Sequence, residues 1–359
     1  MQQALDVAVI GAGQAGLAMG YHLARIGLSF ELLDAAPAIG QVWRDRYDSL
    51  TLFTPSQYND LPGMPFPMAP DRYATKDEVA DYLVAYAERF ELPVRCNARV
   101  SRLSRTAAGY RIEAGGEVKE ARQVVVATGP FQRPFVPAFA SALSREVFQV
   151  HSAMYRNPAQ LPEGEVLVVG AGNSGAQIAE ELSGSRKVYL SVGRRDLHLP
   201  RRFLGREMFW WLKAVGFLDV SLATPIGRWL RRRDVQFYTD IPRLVRENGL
   251  ELLGWAVAAE NDAIAFDDGR RLGVKSVVWA TGFRYDFDWL QVPVLDERGK
   301  PLHRRGVSAS EGLYFLGLPW LYRRSSAQLG GVGRDAEFLA RRIEEVTLDR
   351  AEKSSKRTS

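Results

Sequence analysis

The chain has 359 residues, of which 46% are hydrophobic, and a formal net charge of +5, so it is long enough for two domains with packed cores. The basic excess is concentrated in residues 186–206, which contain seven Arg or Lys residues and one acidic residue. A nucleic-acid surface usually spreads such charge over a whole face, so this segment indicates a bound phosphate instead. The single cysteine, Cys96, excludes an intramolecular disulfide and a Cys-x-x-Cys redox pair, so any redox chemistry must belong to a cofactor.

The N-terminal segment VAVIGAGQAGLAMGYHL predicts a strand, a tight turn and a helix. This strand begins within the first ten residues, and no apolar run in the chain approaches the length of a membrane span. We therefore expect a cytoplasmic protein without a signal peptide and without stable membrane insertion.

The turn after the first strand carries the pattern Gly-x-Gly-x-x-Gly, formed by Gly11, Gly13 and Gly16. The first glycine permits the tight turn, the second lets the backbone approach a pyrophosphate, and the third lets helix and strand pack closely. Asp34 ends the next strand, FELLD, 18 residues beyond Gly16. A carboxylate there accepts both hydroxyls of an unmodified ribose, although an ordinary exposed acid at a strand end is the alternative.

The following segments predict regular elements of several kinds. Residues 55–70 contain five prolines in sixteen residues and predict an ordered loop. Residues 76–90 place apolar side chains at helical spacing and predict an amphipathic helix. An apolar strand ending in Ala-Thr-Gly occurs at 124–130 and again at 277–283, so these two strands mark corresponding positions of two similar folds.

A second glycine-rich turn, in VLVVGAGNSGAQIAEEL, begins 159 residues after the first and is formed by Gly170, Gly172 and Gly175. Two dinucleotide folds therefore share the chain. The strand VYLSV ends in Ser191 and a glycine where the first copy has its acid, and Arg194 and Arg195 follow. Guanidinium groups beside a hydroxyl suit a 2′-phosphate, so NADPH is favoured over NADH; a solvated basic face is the alternative.

Residues 203–218, FLGREMFWWLKAVGFL, combine five aromatic residues with basic neighbours. The segment is typical of an apolar lid over a reactive cofactor. An anionic membrane face and plain core packing are the alternatives. Near the C-terminus we expect a strand at Glu311 to Leu318, a helix from Asp335 to Val346, and a disordered tail over residues 346–359.

Taken together, these residues resemble the flavin-containing monooxygenases, especially their short bacterial members and the YUCCA-like plant enzymes. The resemblance runs from Val7 to about Ile343. Its most specific parts are GQVWRDRYDSLTLFTP, LPGMPFP, ATGPFQRP, the second glycine motif, HLPRR, GLYFLGLPW and LGGVGRDA.

The resemblance implies an α/β fold with two Rossmann-like dinucleotide-binding domains, the NADP domain being inserted into the FAD domain. The expected segments are a first part of the FAD domain at 1–155, the NADP domain at 156–284, and a return of the chain to the FAD domain at 285–345.

The glycine patterns and the resemblance together give the expected cofactor contacts. Those for FAD are Gly11, Gly13, Gln14, Gly16, Asp34, Gly40, Gln41, Trp43, Thr128, Gly129, Gly317 and Gly333. Those for NADP are Gly170, Gly172, Asn173, Ser174, Gly175, Ser191, Arg194, Arg195, Thr281 and Gly282. No metal site is expected.

Two positions depart from the family pattern. The signature Phe-x-Gly-x-x-x-His-x-x-x-Tyr/Phe keeps His151 and Tyr155 here, but Arg145 and Val147 replace its Phe and Gly. We expect His151 to cap or bridge two domains rather than to transfer protons. Phe53 stands where many members place an asparagine near the flavin and nicotinamide, so we assign no catalytic side chain.

The implied function is an FAD-dependent monooxygenase that uses NADPH, or also NADH, and O2 through a flavin C4a-hydroperoxide. Its substrate would be a small hydrophobic molecule with a soft nucleophile, a sulfide or an amine, or a ketone. The alternatives are an NAD(P)H oxidase or flavin reductase without oxygen insertion, and a non-catalytic nucleotide-sensing flavoprotein. Nucleic acid is not an expected partner, and the oligomeric state stays open, with a homodimer as one arrangement.

Overall fold

A computed structural model describes residues 4–193, 202–233 and 241–358 of the chain. Its helices are α1 (Gln14–Arg25), α2 (Gln41–Arg44), α3 (Lys76–Arg89), α4 (Asn173–Ser183), α5 (Met208–Ala214), α6 (Pro225–Arg233), α7 (Ile241–Asn248) and α8 (Val332–Thr358). Its strands are β1 (Leu5–Ile10), β2 (Phe30–Leu33), β3 (Val94–Arg95), β4 (Val100–Arg105), β5 (Tyr110–Ala114), β6 (Glu117–Val126), β7 (Arg133–Pro134), β8 (Phe148–His151), β9 (Val166–Val169), β10 (Val188–Ser191), β11 (Arg202–Phe203), β12 (Arg206–Glu207), β13 (Glu251–Leu253), β14 (Ala256–Glu260), β15 (Ala263–Phe266), β16 (Arg271–Gly273), β17 (Ser276–Trp279), β18 (Phe283–Arg284), β19 (Leu290–Gln291), β20 (His303–Arg304), β21 (Val307–Ser308) and β22 (Leu313–Phe315).

The first sheet combines strands from both ends of the chain. Its strand order is β19-β4-β5-β6-β1-β2-β3, and β22 also pairs with β6. Strands β1, β2 and β6 are parallel neighbours, and the last four residues of β1 are buried, as expected for a strand whose sheet is covered on both faces. Because β22 lies parallel to β6, with Leu313 opposite Val124, the C-terminal segment returns to the N-terminal domain.

The second sheet contains the five parallel strands β13-β10-β9-β17-β8. The first sheet is mixed, since β5 pairs antiparallel with β4 and β6, and the second is parallel and formed by the middle of the chain; together they confirm the predicted α/β class and the inserted domain.

The first boundary between the domains differs from the expected one. Strand β8 lies within the segment 1–155 assigned to the first domain, yet it pairs with β17 in the second sheet. The chain crosses between the sheets at β7 and β18, which pair antiparallel. The first crossing therefore lies near residue 134, because β8, which follows it along the chain, already pairs in the second sheet. The second crossing lies beside the expected boundary at 284.

The predicted amphipathic helix is α3, which begins with a capping box. Thr75 accepts a hydrogen bond from the Glu78 backbone, and the Glu78 carboxylate accepts one from Thr75 N at 2.8 Å. The predicted loop at 55–70 contains only a single 3-10 turn, at Ser56–Tyr58. The hydroxyls of Tyr82 and Tyr86 on α3 donate to carbonyls of this loop, so helix and loop form one ordered unit.

The final helix corrects the expected disordered tail. It continues past Val346 to Thr358, so residues 346–358 are helical. Contacts to the first domain explain the extension: Gln123 donates to the hydroxyl of Thr347 at 2.9 Å, and Arg350 pairs with Glu311 at 2.9 Å. Within the described ranges, no helix is both long and apolar enough to cross a membrane.

Candidate dinucleotide sites

The first glycine-rich turn has a backbone that requires glycine at two of its positions. Gly11 has φ +104°, and a Cβ there would lie 2.7 Å from the Ala127 carbonyl oxygen. A Cβ on Gly16 would overlap the carbonyl oxygen of Gly11. The turn is therefore held tightly between the ends of β1 and β6, with α1 starting at Gln14.

A cleft of about 580 Å³ opens above this turn. Ten of the twelve residues predicted for FAD line it: Gly11, Gly13, Gln14, Asp34, Gly40, Gln41, Trp43, Thr128, Gly129 and Gly317. The other two do not: Gly16 packs against the turn, and a Cβ on Gly333 would lie 2.5 Å from Pro62. Both serve close packing, because each leaves room for a neighbouring backbone or ring.

The Asp34 carboxylate is fixed at the end of β2 by backbone amides. Its Oδ2 accepts from Ala12 N at 2.5 Å, and its Oδ1 accepts from Ala36 N at 2.8 Å. Because an ionised carboxylate has about four acceptor sites, two remain for a ligand in the cleft. This orientation suits a ribose diol.

Several lining residues escaped the sequence interpretation. Arg99 and Val100 line the cleft near the end of β2, and Asp286 and Trp289 line it from the returning chain. Gln132 joins these parts, because its amide donates to Thr128 and Gly129 and its carbonyl accepts from Asp286 N at 2.6 Å. Gln132 belongs to the ATGPFQRP motif, but no motif marks the other four, and the pairing of β19 with β4 brings Asp286 and Trp289 to the cleft.

Gly13 and Gly172, the N-caps of α1 and α4, have a different reason for being glycine. Their φ values are −74° and −68°, which any residue can adopt. A Cβ at either position would meet no protein atom within 4 Å. The free space lies at a helix N-terminus, where unpaired amides bind phosphate. Neither the backbone conformation nor the protein packing requires glycine at these two positions. A pyrophosphate bound close to the backbone would require it, because a side chain would occupy its place.

The second turn repeats the geometry of the first. Gly170 has φ +106°, and its Cβ would overlap the Ala280 carbonyl oxygen. A Cβ on Gly175 would overlap the Gly170 carbonyl oxygen. Helix α4 starts at Asn173, and the Tyr47 hydroxyl of the first domain donates to Gln177 of this helix at 3.0 Å.

The end of β10 corrects one predicted contact. Ser191 is buried, its hydroxyl donates to the Gly254 carbonyl at 2.8 Å, and it accepts from Ala256 N at 3.3 Å. This hydroxyl ties β10 to the segment after β13, so it is not directed at a 2′-phosphate. Arg194 and Arg195, the other predicted phosphate contacts, lie outside the described residues.

His151 lies at the crossing between the two domains. Its Nδ1 accepts from Ala153 N at 3.1 Å, so its Nε2–H donates to the Gly282 carbonyl at 3.0 Å. Burial lowers the pKa of His151, and the nearby Arg46 lowers it further. Both partners follow strands of the second sheet, β8 and β17, so these bonds hold the imidazole at the edge of one domain, and the bridging of two domains stays a prediction. Thr281 beside it donates to the Phe135 carbonyl, which also fixes the crossing.

The aromatic segment beyond β10 packs on the first domain. Phe209 of α5 is buried and stacks with Phe53 at 6.4 Å and Tyr58 at 6.0 Å between ring centroids. Arg334 on α8 pairs with Asp219 of the same segment at 2.5 Å. The segment therefore packs on the first domain through Phe209 and Asp219, although none of its residues lines the cleft above the first turn. Phe53, at the position of the family asparagine, forms part of the aromatic wall under it.

Comparisons with known proteins agree with this arrangement. A family profile described as pyridine nucleotide-disulphide oxidoreductase matches residues 8–197. The chain is 49% identical to an uncharacterized CzcO-like oxidoreductase of Geobacillus kaustophilus over 94% of this chain and 98% of that protein. It is 28% identical to the indole-3-pyruvate monooxygenase YUCCA1 of Oryza sativa subsp. japonica over 86% of this chain and 85% of that protein.

Among solved structures, the chain resembles the flavin-containing monooxygenase from Stenotrophomonas maltophilia. The TM-score is 0.80 at 29% identity, and the match covers 96% of this chain and all of that one. Because Cys96 is the single cysteine of this chain, no Cys pair is present and redox chemistry belongs to the cofactors.

Proposed function

The chain belongs to the flavin monooxygenase family of pyridine-nucleotide-dependent oxidoreductases, and from this premise we propose that it oxygenates a small nucleophilic substrate with FAD, NADPH and O2. FAD occupies the cleft above the first glycine turn, and NADPH binds at the second. The observation that carries the proposal is the pair of open N-caps, Gly13 and Gly172, because their missing Cβ atoms leave room at a helix N-terminus for a phosphate to approach the backbone amides.

The first cleft fits FAD by the chemistry of its lining. The amides at the start of α1 face the position of a pyrophosphate, and Asp34 offers two acceptor sites to a ribose diol. Gly40, Gln41 and Trp43 line the same cleft from α2 and the residue before it. Gly317 lines it from the returning chain, so both ends of the chain hold one cofactor.

The second turn fits a nicotinamide dinucleotide, with Asn173 and Ser174 at the start of α4 as the phosphate-binding amides. Thr281 and Gly282 follow β17 at the same edge of the sheet, the edge where parallel α/β sheets bind ligands. Arg194 and Arg195, which follow β10 in the sequence, are the proposed contacts of the 2′-phosphate.

When bound, the two cofactors supply hydride transfer and the activation of O2. The protein orients the cofactors and the substrate and excludes water from the site. The stacked rings of Phe53 and Phe209 form an apolar wall, which excludes water and favours a hydrophobic substrate. The His151 ring holds its proton in a bond to the Gly282 carbonyl and transfers none.

The proposed substrates are sulfides, amines or ketones. The carbonyl class has support from the rice relative, whose name gives indole-3-pyruvate as its substrate. The amine and sulfide classes need only an apolar approach, which the aromatic wall provides.

One observation favours a second candidate, an NAD(P)H oxidase that releases hydrogen peroxide. Phe53 stands where many family members have an asparagine, and its phenyl ring cannot donate the hydrogen bond that an asparagine amide would. The ring stacks on Phe209 instead. A site with fewer donors stabilises activated oxygen less well, so more of the reducing equivalents are lost as peroxide.

The two candidates separate in one experiment. Purified protein loaded with FAD is supplied with NADPH and ¹⁸O₂, together with a panel of sulfides, amines and ketones. Appearance of ¹⁸O in a product at a rate matching NADPH oxidation supports the monooxygenase. Stoichiometric peroxide with every substrate, and no labelled product, refutes it and leaves the oxidase. The Gly13→Val protein serves as the flavin-free control.

A further inference from the structure

Arg46 lies between the two proposed cofactor sites. Its neighbour Asp45 lines the first cleft. Its other neighbour, Tyr47, crosses to the second domain, where its hydroxyl donates to Gln177 of α4 at 3.0 Å. The segment that contains Arg46 therefore runs from one site to the N-terminal half of the helix that forms the other.

Two aromatic rings hold the Arg46 side chain at the domain crossing. Its guanidinium carbon lies 5.2 Å from the centroid of the Phe131 ring and 5.5 Å from that of Phe283. Phe131 lines the first cleft, and Phe283 belongs to β18, the strand that crosses between the domains. The charge is thus fixed at the junction rather than extended into solvent.

This cation has no carboxylate partner among the described residues, although other arginines of the same segment do. Arg44, two residues before it, pairs with Asp81 at 2.6 Å. Burial lowers the pKa of Arg46, the nearby Arg156 lowers it further, and Asp45 and Tyr47 offset only part of this. A desolvated cation without a counter-charge is unfavourable, and contacts with two rings compensate for only part of that cost. A bound anion would complete the site.

The position of Arg46 identifies which anion. Strands β8, β9 and β17 end at His151, Val169 and Trp279, and the charge of Arg46 acts on His151 at this edge. Ligands of parallel α/β sheets bind at that edge, with their phosphates at the helix N-terminus. The Tyr47 hydroxyl, one residue from Arg46, already contacts Ser174 in the first turn of α4.

We propose that Arg46, a residue of the FAD domain, binds the pyrophosphate of the nicotinamide dinucleotide held at α4 of the other domain. The inference rests on the proposed function, because it takes the second turn to be the nicotinamide site. A contact from Arg46 would make binding of the nicotinamide dinucleotide depend on the junction between the domains. The nucleotide would then be held firmly only when it lies against the FAD domain.

The test measures the dissociation constants of NADP⁺ and NAD⁺ for FAD-loaded protein, from the change they cause in the flavin spectrum. Both nucleotides carry the pyrophosphate, and only NADP⁺ carries the 2′-phosphate. In Arg46→Gln we expect both dissociation constants to rise about ten- to a hundredfold, the range for a lost charge-assisted hydrogen bond. Arg44→Gln is the matched control, and its constants should equal those of the wild type.

Each other outcome is decisive. The proposal is overturned if the dissociation constants of Arg46→Gln equal those of the wild type, or if only the constant for NADP⁺ rises. It is also overturned if Arg46→Gln binds both nucleotides normally and instead binds a carboxylate-containing substrate more weakly. If Arg46→Gln does not fold with FAD bound, Arg46→Lys decides: it keeps the charge without the planar fork and should weaken both nucleotides about three- to tenfold. Wild-type protein that binds neither nucleotide refutes the proposed function as well, whereas normal wild-type binding confines the failure to Arg46.

Discussion

The two glycine-rich turns have almost the same backbone but different strand ends. Gly11 and Gly170 have φ values of +104° and +106°, and each turn has an open N-cap. At the next strand, however, Asp34 presents a carboxylate to the cleft, whereas Ser191 is buried against the Gly254 carbonyl. In the proposed function, the backbone of each turn binds the pyrophosphate that all dinucleotides share, and the residues at the strand end select which nucleotide binds.

The largest expected effects come from filling the open N-caps. Gly13→Val should fold but purify without flavin, because the new side chain meets no protein atom near its Cβ and takes the place of a phosphate. Gly172→Val should keep FAD and lose reduction by NADPH. Flavin absorbance and thermal melting of both proteins check this, and a Gly13→Val protein that retains FAD would contradict the assignment of the first site.

Removing the acid at the first strand end should have the next largest effect. Asp34→Ala loses two ligand acceptor sites, so we expect FAD to bind about ten- to a hundredfold more weakly. Flavin fluorescence during dialysis or titration measures the dissociation constant. The matched Ser191→Ala variant should bind FAD as the wild type does; equal losses in both would remove the distinction between the strand ends.

A smaller and selective effect is expected at the second strand end. Arg194→Ala should raise the KM for NADPH about tenfold and change the KM for NADH less than about twofold, since only NADPH carries the 2′-phosphate. Lys187→Ala, in the same basic segment but paired with Glu165 and Glu251, is the control. An equal effect on both nucleotides would refute the 2′-phosphate contact of Arg194.

Ser191→Ala should change stability rather than specificity. The loss of its hydrogen bond to the Gly254 carbonyl should lower the free energy of unfolding by about 1 kcal/mol. Denaturant titration measures this, and the ratio of the KM values for NADPH and NADH should stay that of the wild type. A shift of that ratio towards NADH would restore Ser191 as a phosphate contact.

The smallest effect concerns pH and the crossing between the two domains. Burial lowers the pKa of His151 in the folded state, so the unfolded chain binds the proton more strongly. Stability should therefore fall as the pH drops below about 6.5, the usual His value, towards the lowered one. Melting temperatures between about pH 5 and 8 test this, and the fall should be shallower in His151→Gln; His22 and His303, also lowered by burial, account for a remaining slope.

The sequence predicts the local part of this architecture well. The glycine patterns identify both turns, because each glycine is needed for a local reason. A Cβ would either clash with a neighbouring backbone atom or block the proposed phosphate at the helix N-terminus. The capping box of α3 and the prolines of the loop at 55–70 are equally local.

Features that depend on distant pairing escaped prediction. Strand β8 precedes the second turn, and only its pairing with β17 places it in the second sheet. Trp289 reaches the first cleft because β19 pairs with β4. The sequence near Ser191 does not indicate that its hydroxyl donates a hydrogen bond to the Gly254 carbonyl, 63 residues further along the chain. The length of α8 depends likewise on Glu311 and Gln123.

The central claim is that the two equivalent turns bind two different cofactors. Its most direct test is an anaerobic titration of FAD-loaded protein with NADPH, in which the flavin absorbance is recorded. We predict that one equivalent of NADPH reduces the flavin of the wild type, and that Gly172→Val keeps its flavin but is not reduced at comparable concentrations. Reduction of Gly172→Val at the wild-type rate, or a wild-type flavin that NADPH leaves oxidised, would contradict the account.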